Sequence, residues 1–379
     1  MMSYYPSILC KKNFGYLIFS ICLLFLINRT TGANDSLRFI NSLHLGAGLQ
    51  YGSILPHTES IEYSVESNIR GFEATLSTET YGRSAWDELF RYPRMGVGYL
   101  ITSLGNQDVF GTANAVFIFM DIPFNAGQHK LKAAYQIDLG MAYINRVYDV
   151  NDNPLNLAIS TRLNVYGCFR LNLRYFINQK NALTAGFGFS HFSNGKVASP
   201  NLGINTGNFS LSYNYRITKA RYTLIEGETA GSIPKNNYEL ILSTGAKTDD
   251  QVTGKTYLIA TLVNDYYYRF NPKYAAGAGT DLFYDQTLGP NRVARDGGTY
   301  SKNELFQFGI HGLLSARYGR LNIVGNLGIY LYANYYKYSR IYTRIGLRYA
   351  VAPHIILNLS LKAHYAIADY VEWGIGYRF

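Results

Sequence analysis

Apolar and polar residues alternate with a period of two along most of the chain, up to its last residue. From Leu321 one face reads Leu321, Ile323, Gly325, Leu327, Ile329 and Leu331, and the other Asn322, Val324, Asn326, Gly328 and Tyr330. From Phe209, the residues Phe209, Leu211, Tyr213, Tyr215 and Ile217 stand against Ser210, Ser212, Asn214 and Arg216. The segment from Ile355 and the final one (Val371, Trp373, Ile375, Tyr377, Phe379 against Glu372, Gly374, Gly376, Arg378) repeat the pattern. Successive side chains of a strand point to opposite sides, so each segment has one oily and one polar face. A helical membrane bundle is excluded, since it needs several apolar runs of about 18 residues or more and none is present. With 47% hydrophobic and 16% charged residues, the chain is also far from the composition of a disordered protein.

Two architectures use such strands. A soluble sandwich buries the oily faces against each other. A membrane barrel turns them to lipid and keeps polar or small residues inside. The polar face here is rich in Gly, Ser and Asn rather than Lys and Glu, as an interior requires. Aromatic residues, which include 35 Tyr, cluster near segment ends, as in Tyr266-Tyr267-Tyr268 and Tyr335-Tyr336. The terminal Phe379 closes an alternating strand, which resembles the assembly signal of outer-membrane barrels. In lipid every backbone polar group must be paired, so the sheet must close. The expected fold is therefore all-β: an antiparallel transmembrane β-barrel of about 14 strands, an even number between 12 and 16. Residues 34–379 are read as a single barrel domain, with polar stretches near 218–235 and 286–303 as loops.

Residues 1–33 read as a signal peptide. Lys11 and Lys12 precede an apolar stretch from Phe14 to Ile27, too short to span a bilayer, and Thr31-Gly32-Ala33 is a fitting cleavage site. Cys10 and Cys22 would leave with it, so Cys168 would remain alone without an intramolecular disulfide. The net charge of +10 favours anionic lipids only weakly. No metal-ligand spacing or phosphate-binding glycine loop is found, so no metal, cofactor or nucleic acid is expected.

Chemistry concentrates in residues 181–205, NALTAGFGFSHFSNGKVASPNLGIN. Leu183, Ala185, Phe187, Phe189, His191 and Ser193 share one face, and that face is oily, hence directed to lipid. His191 and Ser193 fall at its end, before an Asn-Gly turn. A hydroxyl becomes a nucleophile when a base takes its proton, and neutral imidazole is the usual base. His191 and Ser193 form a sensible base–nucleophile dyad; a His and Ser that merely end the strand would fit the spacing as well. His57, His311 and His364 read as plain barrel or interface residues, and Asp121 and Asp249-Asp250 as solvated or turn acids.

The longer string settles more. His191-Phe192-Ser193-Asn194-Gly195, followed by Pro200-Asn201-x-Gly203-Ile204, resembles the signature of PagL-type lipid A 3-O-deacylases, the acyloxyacyl hydrolase-like family. The resemblance is strongest over 185–217 and extends to Gly48-x-x-Tyr51-Gly52, Pro56-His57 and Trp373-Gly374-x-Gly376-Tyr377. It implies an outer-membrane serine esterase of a Gram-negative bacterium, a carboxylic ester hydrolase that removes an acyl chain from lipid A of lipopolysaccharide. By the same resemblance Ser193 is the nucleophile and His191 the base. Asn194, Gly195 and Asn201 fall at oxyanion and substrate-binding positions. The family's third triad member is a Glu fourteen residues after the His, where this chain has Asn205. An amide oxygen can orient an imidazole but cannot neutralise its cation, and Glu226 or Glu228 is a possible substitute. The familiar deacylase barrel is also smaller, about eight strands. A passive porin with a vestigial motif and an esterase of another membrane lipid are the rival readings.

Overall fold

The computed structural model describes residues 43–80, 85–125, 129–218, 234–248, 255–336, 339–364 and 367–379. The proposed signal peptide, Glu226, Glu228 and Asp249-Asp250 lie outside them. Among the described residues sixteen strands are present, each where the alternation places one. Eight of them form the N-terminal barrel: β1 (Leu43–Ile54), β2 (Ile69–Glu79), β3 (Arg94–Ser103), β4 (Thr112–Pro123), β5 (Leu131–Ile144), β6 (Leu163–Phe176), β7 (Asn181–Ser193) and β8 (Ile204–Arg216). The others form the C-terminal barrel: β9 (Asn236–Thr248), β10 (Thr256–Arg269), β11 (Tyr274–Asp285), β12 (Phe306–Tyr318), β13 (Leu321–Ala333), β14 (Ile341–Ala350), β15 (Ile355–His364) and β16 (Ile367–Arg378). All pairings are antiparallel. β1 closes on β8, from His44 opposite Arg216 to Ile54 opposite Thr206. β9 closes on β16, from Glu239 opposite Arg378 to Gly245 opposite Glu372.

The all-β antiparallel barrel class and the strand count agree with the sequence. The single cylinder does not: the strands close as two rings of eight. Alternation specifies the two faces of a strand, not the partner that completes the ring. Most of the stretch near 218–235, expected as a loop, lies outside the described residues. The stretch near 286–303 is not only loop; it carries a helix, α1 (Leu288–Asp296), and a 3-10 turn (Lys302–Leu305).

Both rings are inside-out relative to a soluble protein, which rules out the sandwich. Large apolar side chains lie on the outside, with Leu49 67% and Leu314 68% exposed, while Asp265, Asp281 and Glu372 are fully buried. Most of the enclosed charges are paired, as buried charges call for. In the N-terminal barrel Arg170 donates two hydrogen bonds to Glu73, at 3.1 and 2.9 Å. Asp121, expected to be solvated, instead accepts from Arg174 and Asn172, both at 2.9 Å. Cys168 is a free thiol buried in this barrel. In the C-terminal barrel Arg348 bridges Glu239 and Asp265 at 2.8 and 2.6 Å. His311 sits between Asp265 and Asp281, 2.7 Å from each, and is thus part of that interior network. An eight-stranded barrel is just wide enough for its side chains to fill, and these paired side chains lie within it.

One rim of the N-terminal barrel is sealed by an apolar plug. Ile61, Leu104, Phe110 and Ile159 from the loops pack with Phe117, Tyr166, Phe192 and Ile204 from the strands. Asn106 and Asn156 hold those loops together by donating to the carbonyls of Ser64 and Val109, both at 2.9 Å. At the opposite rim the two barrels touch. Tyr318 Oη donates to Asp87 Oδ1 at 2.9 Å, Lys273 Nζ donates to the Leu89 carbonyl at 3.2 Å, and the Tyr318 ring meets Phe90 edge-on.

Candidate active site

The β7–β8 ladder explains why residues fourteen apart meet. Antiparallel pairing sets Phe187 opposite Phe209, Phe189 opposite Gly207 and His191 opposite Asn205. The side chains of a directly opposed pair share a face. His191 Nδ1 lies 2.6 Å from Asn205 Oδ1. The face is the outer one: Leu183, Phe187 and Phe189 lead up it, each exposed, to a half-buried His191 and a buried Ser193. Across the other edge Gly167 of β6 stands opposite His191 and Val165 opposite Ser193. A Cβ added at Gly167 would meet nothing within 4 Å, so the wall beside the imidazole is open.

Asn205 does more than touch His191. Its Nδ2 lies 3.2 Å from His57 Nδ1, and His57 Nε2 lies 3.0 Å from the Leu202 carbonyl oxygen. Those contacts define the direction of every hydrogen bond. A carbonyl only accepts, so His57 Nε2–H donates to Leu202 and Nδ1 of His57 is the acceptor. The Asn205 amide NH2 therefore donates to His57, which turns its Oδ1 to His191. His191 Nδ1–H donates to that oxygen, and His191 Nε2 keeps its lone pair. Sequence reasoning set His57 aside as an interface residue; the Pro56-His57 likeness was the signal pointing to it.

Gly203 packs under the ring. It has φ +79°, and a Cβ there would stand 2.8 Å from His191 Cε1 and 3.2 Å from the Phe192 carbonyl oxygen. Only glycine accepts both that backbone and that contact.

The turn after Ser193 is built by amides. Asn194 N–H donates to Asn201 Oδ1 at 3.0 Å, while Asn194 Nδ2 donates to Ser160 Oγ and to the Ala198 carbonyl, both at 3.1 Å. Both hydrogens of the Asn194 side chain are thus engaged in holding the loop. The bond to Asn201 Oδ1 leaves the Asn201 NH2 as the donor available for another oxygen. Gly195 and Lys196 follow with φ +63° and +64°, a left-handed pair that reverses the chain beside Ser193. The structure brings His191, Asn205, Ser193, Asn194, Gly195 and Asn201 into one rim. It joins His191 directly to Asn205; no hydrogen bond of the Ser193 hydroxyl is seen among the described residues.

The fold is a membrane barrel whose apolar face is turned outward, and on that face Asn205 orients the imidazole of His191, two residues before Ser193. The family described as "Lipid A 3-O-deacylase (PagL)" matches residues 70–214, and "Acyloxyacyl hydrolase, C-terminal domain" matches residues 236–379. These matches fall one on each barrel, the N-terminal barrel matching the PagL lipid A 3-O-deacylase family and the C-terminal barrel its acyloxyacyl hydrolase C-terminal domain. Among solved structures it is similar to the outer membrane enzyme PagL, with 15% identity and a TM-score of 0.31 over 45% of this chain and 99% of that one. It is also similar to Neisserial surface protein A, with 11% identity and a TM-score of 0.30 over 46% and 97%. A mutant Rhodopseudomonas blastica porin gives 10% identity and a TM-score of 0.17 over 89% and 100%. No curated protein matches the chain.

Proposed function

We propose that this protein is an outer-membrane serine esterase that removes an ester-linked acyl chain, the 3-O chain, from lipid A. The observation that carries the reading is the bond chain Leu202–His57–Asn205–His191, which leaves a basic nitrogen on an outward-facing imidazole two residues before Ser193. Lipid A reaches the site laterally within the leaflet, its acyl chains along the apolar wall of Phe187, Phe189 and the gap at Gly167. Ser193 Oγ attacks the ester carbonyl as His191 Nε2 takes its proton. The carbonyl electron pair moves onto oxygen, where the Asn201 NH2 and the Gly195 N–H are the donors that meet it. Collapse breaks the bond to the sugar oxygen, which receives the proton from Nε2. Water then repeats the sequence on the acyl-enzyme, releasing the fatty acid and restoring Ser193. Residues 1–33 act in this reading as the export signal.

Asn205 orients His191 without countering the charge that His191 gains, unlike a carboxylate. No cofactor or metal is required. A ring of eight strands leaves little room for a water-filled channel, which counts against the porin reading. The deciding experiment is mass spectrometry of lipid A from cells carrying the wild type or Ser193→Ala. Wild type yields lipid A short by one acyl chain, and Ser193→Ala leaves it intact while still running as a heat-modifiable barrel. Continued deacylation by Ser193→Ala would sink the assignment, and deacylation absent from both would sink the function.

A further inference from the structure

Two outward positions of the C-terminal barrel are not available to lipid. Thr248, last residue of β9, has the parity of exposed Leu240 and Leu242, yet it is only 5% exposed. Val371 of β16 lies in line with exposed Trp373 and Ile375, yet it is half-buried. What Thr248 and Val371 touch is the turn that follows Ser193. Thr248 Oγ1 donates to the Val197 carbonyl at 3.0 Å. Val371 lies so close to Gly195 that a Cβ there would stand 2.6 Å from Val371 Cγ2.

The rim that presents these two side chains is fastened from within. The β9–β16 ladder ends at Gly245 opposite Glu372, below Thr248 and Val371. Beyond it the strand ends are tied by Lys247, whose Nζ lies 2.6 Å from Asp369 and 2.9 Å from Asp285. Lys247 precedes Thr248, and Asp369 lies two residues before Val371. A buried ion pair thus holds both side chains at a fixed separation. The other end of the barrel pair is fixed by Tyr318 on Asp87 and Lys273 on Leu89, so the barrels meet at both rims.

We infer that the C-terminal barrel is part of the esterase site, with Thr248 and Val371 as positioning residues that hold the Gly195–Val197 turn against Ser193. The turn carries two consecutive left-handed residues and the Gly195 N–H assigned to the oxyanion. Its Val197 carbonyl and Gly195 backbone are held by the second barrel. The inference deepens the esterase reading and rests on it for the catalytic consequence, but not for the structural one.

The test uses the full-length protein in detergent and two readouts. Thr248→Val keeps the shape and deletes the donor; Val371→Ala opens space behind Gly195; Thr248→Ser restores the hydroxyl. Hydrolysis of a short-chain nitrophenyl ester and of lipid A is followed, together with trypsin cleavage after Lys196, inside the turn. Heat-modifiable migration confirms that each variant is closed. Each weakened variant is expected to lose about twofold to tenfold in kcat with KM unchanged, the scale of one modest hydrogen bond. Cleavage after Lys196 should speed up in Thr248→Val and Val371→Ala, and Thr248→Ser should return both readouts to wild type. Wild-type kcat and wild-type protection of Lys196 in the Thr248→Val/Val371→Ala double variant would overturn the inference. If the wild type hydrolyses neither ester, the esterase reading fails, and the cleavage at Lys196 alone decides whether the second barrel holds the turn.

Discussion

In the proposed site, the chain from Leu202 to His191 gives a neutral amide the work that usually falls to a carboxylate, and His57 is what makes that possible. An amide has two faces. With NH2 turned to His191 it would demand the opposite imidazole tautomer, in which Nε2 carries the hydrogen and is no base. In serine proteases an Asp-to-Asn change of this kind lowers kcat by about 10⁴-fold through the wrong tautomer. Here the His57 acceptor, 3.2 Å from Asn205 Nδ2, selects the productive face. His57→Ala removes the acceptor. A net hydrogen bond is worth about 0.5–1.5 kcal/mol, which corresponds to about a 2- to 13-fold change in population. Because His57 is exposed, the lower half of that range applies. His57→Ala should therefore lower kcat about 2- to 5-fold, leave KM unchanged and leave the barrel folded. Asn205→Asp supplies an acceptor on both oxygens, so the face no longer matters. In that background His57→Ala should have no further effect on kcat. The assay is the four-member cycle of wild type, both single variants and the double variant on a nitrophenyl ester. Equal losses from His57→Ala in the wild-type and Asn205→Asp backgrounds would refute the orienting role. A loss as deep as that of Ser193→Ala would place His57 in the chemistry itself.

Three further outcomes follow from the geometry. Gly203→Ala puts a Cβ 2.8 Å from His191 Cε1 at φ +79°, so it should displace the imidazole and lower kcat more than tenfold, roughly the effect of a misplaced base, with normal heat-modifiable migration. Asn201→Ala removes the amide whose NH2 is left for the oxyanion, and kcat should fall about 100- to 1000-fold with little change in KM. Arg170→Met strands Glu73 and Asp138 inside the N-terminal barrel and should lower its unfolding free energy by about 3–5 kcal/mol in a urea titration. Pairing it with Glu73→Gln and Asp138→Asn should recover most of that loss.

The strands were legible because membrane barrels enforce parity strictly: one wrong residue places a charge in lipid or a large apolar group in a filled lumen. The same parity put His191 and Ser193 on the outer face, where the structure has them. Asn205 was reached through the family spacing, and the ladder pairing His191 with Asn205 explains that spacing. Closure was not legible. The run Tyr213, Tyr215, Ile217 at the end of β8 and just past it resembles Ile375, Tyr377, Phe379 at the end of β16 and just past it, and that likeness between the two halves was the available sign of two rings. His57 was missed because its meaning depends on Asn205, 148 residues away, and on the strand pairing that brings them together. Asp121 was misread because an isolated acid in sequence says nothing of an arginine on the next strand but one.

Because β1 bonds to β8 and β9 bonds to β16, neither ring contains a strand of the other. Each half can therefore seal its own hydrogen bonds during insertion, without a gap that waits for later residues. In evolution, either half can change its lipid-facing surface or its cargo of interior charges while its neighbour stays shut.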